Sequence, residues 1–176
     1  MIGKNIKLIL VRIKRVLLLD SSVYLEIRDE SGGLYAAVAV LIGSLILAML
    51  PLIASMPPFL VFVLFILPVF EAAGTWVLHI IAKLLGGKSD FAGYFKCICY
   101  AHSPFVIRIV SPLHSLIALA GMVWWLACAY KATKNAHELS SFRTLVVLLP
   151  LFFAILIELS FIIAFKDPNF SLPSGV

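Results

Sequence analysis

Four ionisable residues stand where the chain offers little water. Glu71 and His79 fall inside the apolar run 59–85, His102 inside the segment 91–109, and Glu158 inside the run 145–165. Carboxylates and imidazoles are the side chains that hold cations or pass protons, so Glu71, His79, His102 and Glu158 form a candidate intramembrane polar network. Glu71 and His79 lie about 80° apart around a helix that turns about 100° per residue, so both can face one side. Thr75 sits between them, Pro68 frees a backbone carbonyl nearby, and His102 and Arg108 are available as partners from the next segment. Two uses fit these groups. One is an ion or proton site. The other, which is favoured, is a structural hydrogen-bond network that locks helix on helix, with some side chains snorkelling to an interface.

Other chemistry is not encoded in recognisable form. There is no H-E-x-x-H of a zinc protease and no G-x-S-x-G of a serine hydrolase, so no catalytic residue is assigned and the chain is not expected to be an enzyme. Cys97, Cys99 and Cys128 lie in apolar segments with no C-x-x-C or Cys/His ligand spacing, which predicts buried thiols acting as small hydrophobes rather than a metal site. Acylation of Cys97 is the one modification that these thiols suggest. No cofactor is expected.

The elements that must position these residues follow from composition. With 62% hydrophobic and 13% charged residues, the chain lacks the polar side chains to cover a water-facing surface, so lipid must be its main solvent. The net charge of +5 comes from basic residues beside apolar stretches, which suits anionic headgroups and not nucleic acid. In residues 1–20, Ile2, Ile6, Ile9, Ile13 and Val16 fall on one helical stripe and Lys4, Lys7, Lys14 and Arg15 on another. That pattern predicts an amphipathic helix in the membrane interface, not a signal peptide. Asp20-Ser21-Ser22 ends it or caps the next element. After a polar patch at 26–33, five spans are predicted: 34–55, 59–85, 91–109, 113–130 and 145–165, with a polar loop at 131–143. Pro51, Pro68 and Pro150 read as kinks within apolar runs. The fold class is therefore all-α: a polytopic bundle of five transmembrane helices preceded by an interfacial helix. Its parts are a cytoplasmic segment 1–33, a membrane domain 34–166 and a tail 167–176.

The third span is the weakest by hydropathy, and charge decides it. With five spans, the side that holds the N-terminus carries six basic residues before the first span, three around the second turn and three between the last two spans, leaving Arg108 and Lys166 opposite. Basic loops stay cytoplasmic, so the N-terminus is predicted inside and the C-terminus outside.

The stretch from His79 to Leu151 resembles the Ypt-interacting-protein (Yip) family. Its pieces run in order: His79, then Lys83-Leu84-Leu85-Gly86-Gly87-Lys88-Ser89-Asp90-Phe91, Tyr100-Ala101-His102-Ser103-Pro104, Leu119-Ala120-Gly121-Met122-Val123-Trp124 and His137-Glu138-Leu139-Ser140. Tyr24-Leu25-Glu26-Ile27-Arg28-Asp29-Glu30 suits prokaryotic members. Gly86, Gly87, Tyr100 and Pro104 are the motif positions singled out. The resemblance implies five spans and a cytoplasmic N-terminus. Eukaryotic members serve the early secretory pathway and include partners of Rab-type GTPases; their Asp-Leu-Tyr-Gly-Pro-like motif is absent here, which points to a prokaryotic-type member in the cell membrane (an endomembrane if the source is eukaryotic). The function expected is a non-enzymatic scaffold or adaptor linked to membrane organisation or trafficking. Its expected partners are the bilayer, anionic headgroups at the N-terminal helix, and a second copy or another membrane protein. The alternative is a small transporter or ion-binding protein that uses the intramembrane Glu and His residues.

Overall fold

The computed structural model describes residues 2–53, 57–107 and 115–166. Among them are seven helices and no strand: α1 (Ile2–Leu17), α2 (Ser21–Asp29), α3 (Leu34–Ile53), α4 (Pro57–Leu84), α5 (Phe91–Ala101), α6 (Ser115–His137) and α7 (Ser141–Lys166). The predicted tail 167–176 and Arg108 lie outside the described residues.

Three helices close in the same way. Leu19 after α1, Gly86 after α4 and Glu138 after α6 all adopt left-handed backbone, with φ of 57°, 90° and 54°. In each case the next N–H reaches back five residues: Asp20 to the Arg15 carbonyl (3.0 Å), Gly87 to Ala82 (2.8 Å) and Leu139 to Lys134 (3.0 Å). This is the Schellman arrangement, and it turns the chain sharply with no long loop. Asp20 then caps α2, its carboxylate accepting from the Ser22 N–H at 2.9 Å. The signal at residues 20–22 therefore both ends one helix and starts another.

That second helix corrects the expected polar patch at 26–33. α2 buries only Val23, Tyr24 and Ile27, a stripe too short for its periodicity to stand out among charged neighbours. The expected polar loop 131–143 is also corrected. α6 runs on to His137 because Ala132, Thr133, Ala136 and His137 recur on one face and are buried, while Lys131 and Lys134 stay on the other. The connection shrinks to residues 138–140.

The later helices alternate in direction. Lys88 N–H bonds the His137 carbonyl (3.1 Å) and Arg143 reaches the Leu85 carbonyl (3.1 Å), so the end of α4, the start of α5, the end of α6 and the start of α7 share one end of the bundle. Lys96 adds the α2–α3 connection by bonding the carbonyls of Arg28 and Glu30. We call this end the cap. From it α5 descends along α6. Tyr94 meets Thr133 at 2.9 Å, and deeper down His102 and Phe105 pack on the Trp125 ring. Ile107 lies opposite Gly121, about 18 Å below Thr133 at the rise of a helix. The third segment is shorter than expected as a helix. It has 11 helical residues and then a 3₁₀ turn over 103–107, tightening where Pro104 removes a donor. Pro68 and Pro150 lie inside continuous helices.

The outside of the bundle is apolar. Val69, Phe70 and Trp76 on α4, and Leu149, Phe153 and Leu156 on α7, are exposed, and a row on α3 from Ile42 to Leu50 is partly so. One stretch among the described residues, Ile66–Leu84, is by itself long and apolar enough to cross a bilayer; Leu34–Leu50 and Ser141–Phe153 are shorter apolar helices. Only 17% of the crossing stretch is buried within the protein, whereas the core helix of a soluble protein would be mostly covered. Contiguous apolar surface of this kind is stable against lipid and not against water.

α1 lies across the base of the cap. Val16 is fully buried, Ile9 and Ile13 pack against the core, and Ile6 and Leu10 remain exposed. Part of the stripe expected to enter lipid is thus spent on the protein itself. Trp124 fixes the end of the helix by donating to the Leu17 carbonyl at 3.1 Å.

Candidate functional site

Of the four residues predicted as one network, the three with described side chains fall in two places. Glu71 Oε2 lies 3.3 Å from His102 Nε2, close but off the line of a well-formed hydrogen bond. His102 is 1% exposed, and its Nδ1 sits 2.9 Å from the Ile98 carbonyl, one of the end carbonyls of α5. His79 belongs elsewhere. Its Nδ1 is 3.4 Å from His137 Nε2 at the cap end, among the rings of Phe91 and Tyr94. Two turns of α4, about 12 Å, separate the two pairs. The side chain of Glu158 lies outside the described residues.

His137 was missing from the predicted set, and the glycine pair explains its position. Gly86 supplies the left-handed residue that ends α4. Gly87 is needed for space: a Cβ there would stand 2.6 Å from His137 Nδ1 and 2.8 Å from the Ala82 carbonyl oxygen. The motif pieces around Gly87 and His137 are thus two halves of one contact.

Around that contact a charged cluster forms. Glu138 accepts from Arg28 (2.9 Å) and Lys88 (2.7 Å), and Arg28 also bonds the Ala136 carbonyl (3.0 Å) and Asp29 (2.6 Å). The hydrogen bond from Lys88, and then that from Arg28, hold the Glu138 carboxyl below the usual range, and Arg28 does the same for Asp29. Asp90 caps α5 through the Gly93 N–H at 2.7 Å, and a Cβ on Gly93 would press on the Arg28 stem at 2.9 Å. Lys96, 6% exposed, neutralises the carbonyl end of α2. These residues line an open polar cleft of about 570 Å³ in the cap. Its lining carries the bases Arg28, Lys88 and Lys96 and the acids Asp29, Glu30, Asp90 and Glu138, so it offers a pattern of both charges and not a bare anion or cation site.

A second group ties α1 down. Arg12 bonds Glu30 at 2.7 Å beside buried Tyr100, and Arg15 bonds Asp20 and Glu26 at 2.8 and 2.6 Å. Arg15 first, and Ser22 after it, pull the Asp20 carboxyl down to about 2. Tyr100 and Pro104 are both buried and act as packing residues on α5 and its following turn. The three thiols are buried and free, and Cys97 Sγ donates to the Tyr24 carbonyl at 3.2 Å, which leaves no room for an acyl group in this fold.

Arg28, Lys88, Lys96 and Glu138 were not among the predicted site residues. Three of them stand inside motif pieces readable in the sequence, but the 110 positions between Arg28 and Glu138 hide their contact.

An apolar helical bundle with a polar, ion-paired cap at one end defines an integral membrane protein of the all-α class. The Yip1 domain family matches residues 14–162, which takes in both polar pairs and the whole charged cluster, and the chain belongs to that family. No curated protein and no solved structure matches the chain.

Proposed function

We propose that the protein is a five-span, non-enzymatic membrane scaffold that presents its cap to another protein on the cytoplasmic face. One observation carries this: residues from three distant stretches, around Arg28, around Lys88 and Lys96, and around Glu138, are drawn into one ion-paired cleft at one end of the bundle. A cleft so braced keeps its pattern of charge, and patterned charge gives a partner orientation and specificity. The alternating helix directions and the clustering of basic residues toward the cap support the odd number of crossings, with the C-terminus outside. α1 serves as a surface anchor. Because Arg12 and Arg15 are engaged within the protein, Lys7 and Lys14 are its exposed contacts for anionic headgroups. A transporter built on Glu71, His79 and His102 would need them in one site, and they occupy two.

The test is a photo-crosslinking amino acid at Ala92, which lines the cleft on its exposed side, in cells of the source organism. A discrete protein adduct that disappears with Glu138→Arg but survives Gly43→Leu on α3 supports the scaffold. Adducts only with lipid, or adducts indifferent to Glu138→Arg, refute it.

A further inference from the structure

Below the cap, α4, α5, α6 and α7 enclose a second cavity of about 260 Å³. Its walls are mostly apolar, with Leu78, Ile98, Ala129 and Leu151 among them, yet Glu71, Thr75, His102 and Trp125 are set into them. Gly74, Val77 and Pro150 line it from the exposed, lipid-facing side of the molecule, so it opens sideways between α4 and α7. Two of its polar groups have no hydrogen-bond partner among the described residues: His102 Nε2, on a side chain 1% exposed, and Trp125 Nε1, on a residue 8% exposed. Leaving the buried Trp125 N–H without an acceptor is costly, and a ligand that supplies the missing atom recovers that cost.

The hydrogen-bond roles restrict that ligand. A carbonyl only accepts, so His102 Nδ1 carries the proton that points at Ile98, and in that tautomer Nε2 offers a lone pair. Glu71 Oε2 lies 3.3 Å away and is also an acceptor unless protonated. The two therefore stand together as hydrogen-bond acceptors on one wall of the cavity. Trp125 can only donate. A cavity that offers one donor and nearby acceptors suits a group that both accepts and donates, which is a hydroxyl. A ligand ammonium has no lone pair to accept from Trp125, and a ligand carboxylate has no proton to donate to the acceptors. The volume lies below the about 300–1,000 Å³ of sites that enclose a whole drug-sized ligand, so the cavity takes one end of a molecule whose remainder stays in lipid.

We propose that this cavity binds the hydroxyl end of an uncharged, single-hydroxyl lipid that enters sideways from the bilayer, its oxygen accepting from Trp125 Nε1 and donating to the Glu71–His102 pair. The site is separate from the cap cleft, and its occupancy does not depend on the scaffold role.

The experiment uses the full chain in nanodiscs of neutral phospholipid, with a photoreactive dodecanol analogue carrying its diazirine near the hydroxyl. Labelling should map to α4 around Gly74 and to α6 around Trp125, and dodecanol should compete for it while dodecyl methyl ether and dodecane do not. Gly74→Leu fills the mouth, and because a Cβ at Gly74 meets nothing within 4 Å the fold should accept it. It should cut specific labelling by about tenfold, the loss of at least one buried polar contact together with the alkyl chain behind it. Trp125→Phe keeps a ring and removes the donor, and should cut labelling by about fivefold, as one neutral hydrogen bond does. Gly43→Leu, on α3 and likewise free of contacts, should leave it unchanged. Labelling spread over the bundle exterior, or unaffected by Gly74→Leu, would overturn the site. Equal competition by the methyl ether, or stronger competition by dodecylamine or dodecanoate, would overturn the hydroxyl assignment.

Discussion

At the scale of single residues, space and charge can be tested apart. Gly87→Ala must push a methyl group into the His137 ring and the Ala82 carbonyl, and the carbonyl belongs to a helix that cannot easily move. Overpacking of this kind costs about 1–3 kcal/mol, so the detergent-solubilised variant should unfold several degrees below the parent protein, while Gly74→Ala melts with it. Equal melting of the two variants would mean that the cap tolerates displacement of His137. Acid tests the charges. Folding lowers the carboxyl of Asp20 from 3.8 to about 2 and lowers those of Glu26, Asp29 and Glu138 as well. Groups lowered on folding stabilise fully above their unfolded values and lose that contribution as pH falls through the folded ones. The melting temperature should therefore hold from neutral pH to about 4.5 and fall below it. Arg15→Gln releases Asp20 and Glu26, so its melting curve should start lower at neutral pH and fall less in acid. A parallel fall in both proteins would remove Arg15 as the cause. Glu71, His79 and His102 could be singled out from sequence because ionisable groups in apolar runs are rare. His102 was among the partners offered for Glu71, but the pairing of His79 with His137 could not be read, since helical angle says which side a residue faces and nothing about which neighbour stands there.

At the scale of elements, the long apolar helices were legible in the run lengths, and the short ones were hidden. α2 has 9 residues and is dense in charge, so neither hydropathy nor periodicity marks it, and only its fit between α5 and α6 explains it. Lys96 supports that fit. Lys96→Met keeps most of the aliphatic stem but leaves the carbonyls of Arg28 and Glu30 without their buried donor, at a cost of about 1–3 kcal/mol. α2 should then open locally, read as faster proteolysis within residues 18–33 while α6 and α7 stay protected. Protection unchanged in that segment would show that packing alone holds α2. The same kind of docking changes the expectation for α1. A peptide of residues 1–19 should bind anionic vesicles and lose affinity as salt is added, because screening shortens the reach of its basic side chains. Equal binding to neutral vesicles would leave apolar burial as the only force. In the intact protein the salt dependence should be weaker than in the peptide, since Arg12 and Arg15 are already paired within the chain.

At the scale of the whole molecule, the proposed five-span topology is supported by charge counting and by helix direction. The count separates the basic loops from Arg108 and Lys166, and the contacts bring the ends of α4 and α6 together with the starts of α5 and α7. The cap itself was not legible as a unit, because its members are scattered from Arg28 to Glu138 and each is ordinary alone. Single cysteines placed at Lys4, Ser140 and Asn169, in a background whose buried native thiols are replaced by Ala or Ser, test the architecture directly with a membrane-impermeant maleimide. Lys4→Cys and Ser140→Cys should label from one side of sealed vesicles and Asn169→Cys from the other. Ser140→Cys and Asn169→Cys labelled from the same side would contradict the five-span topology.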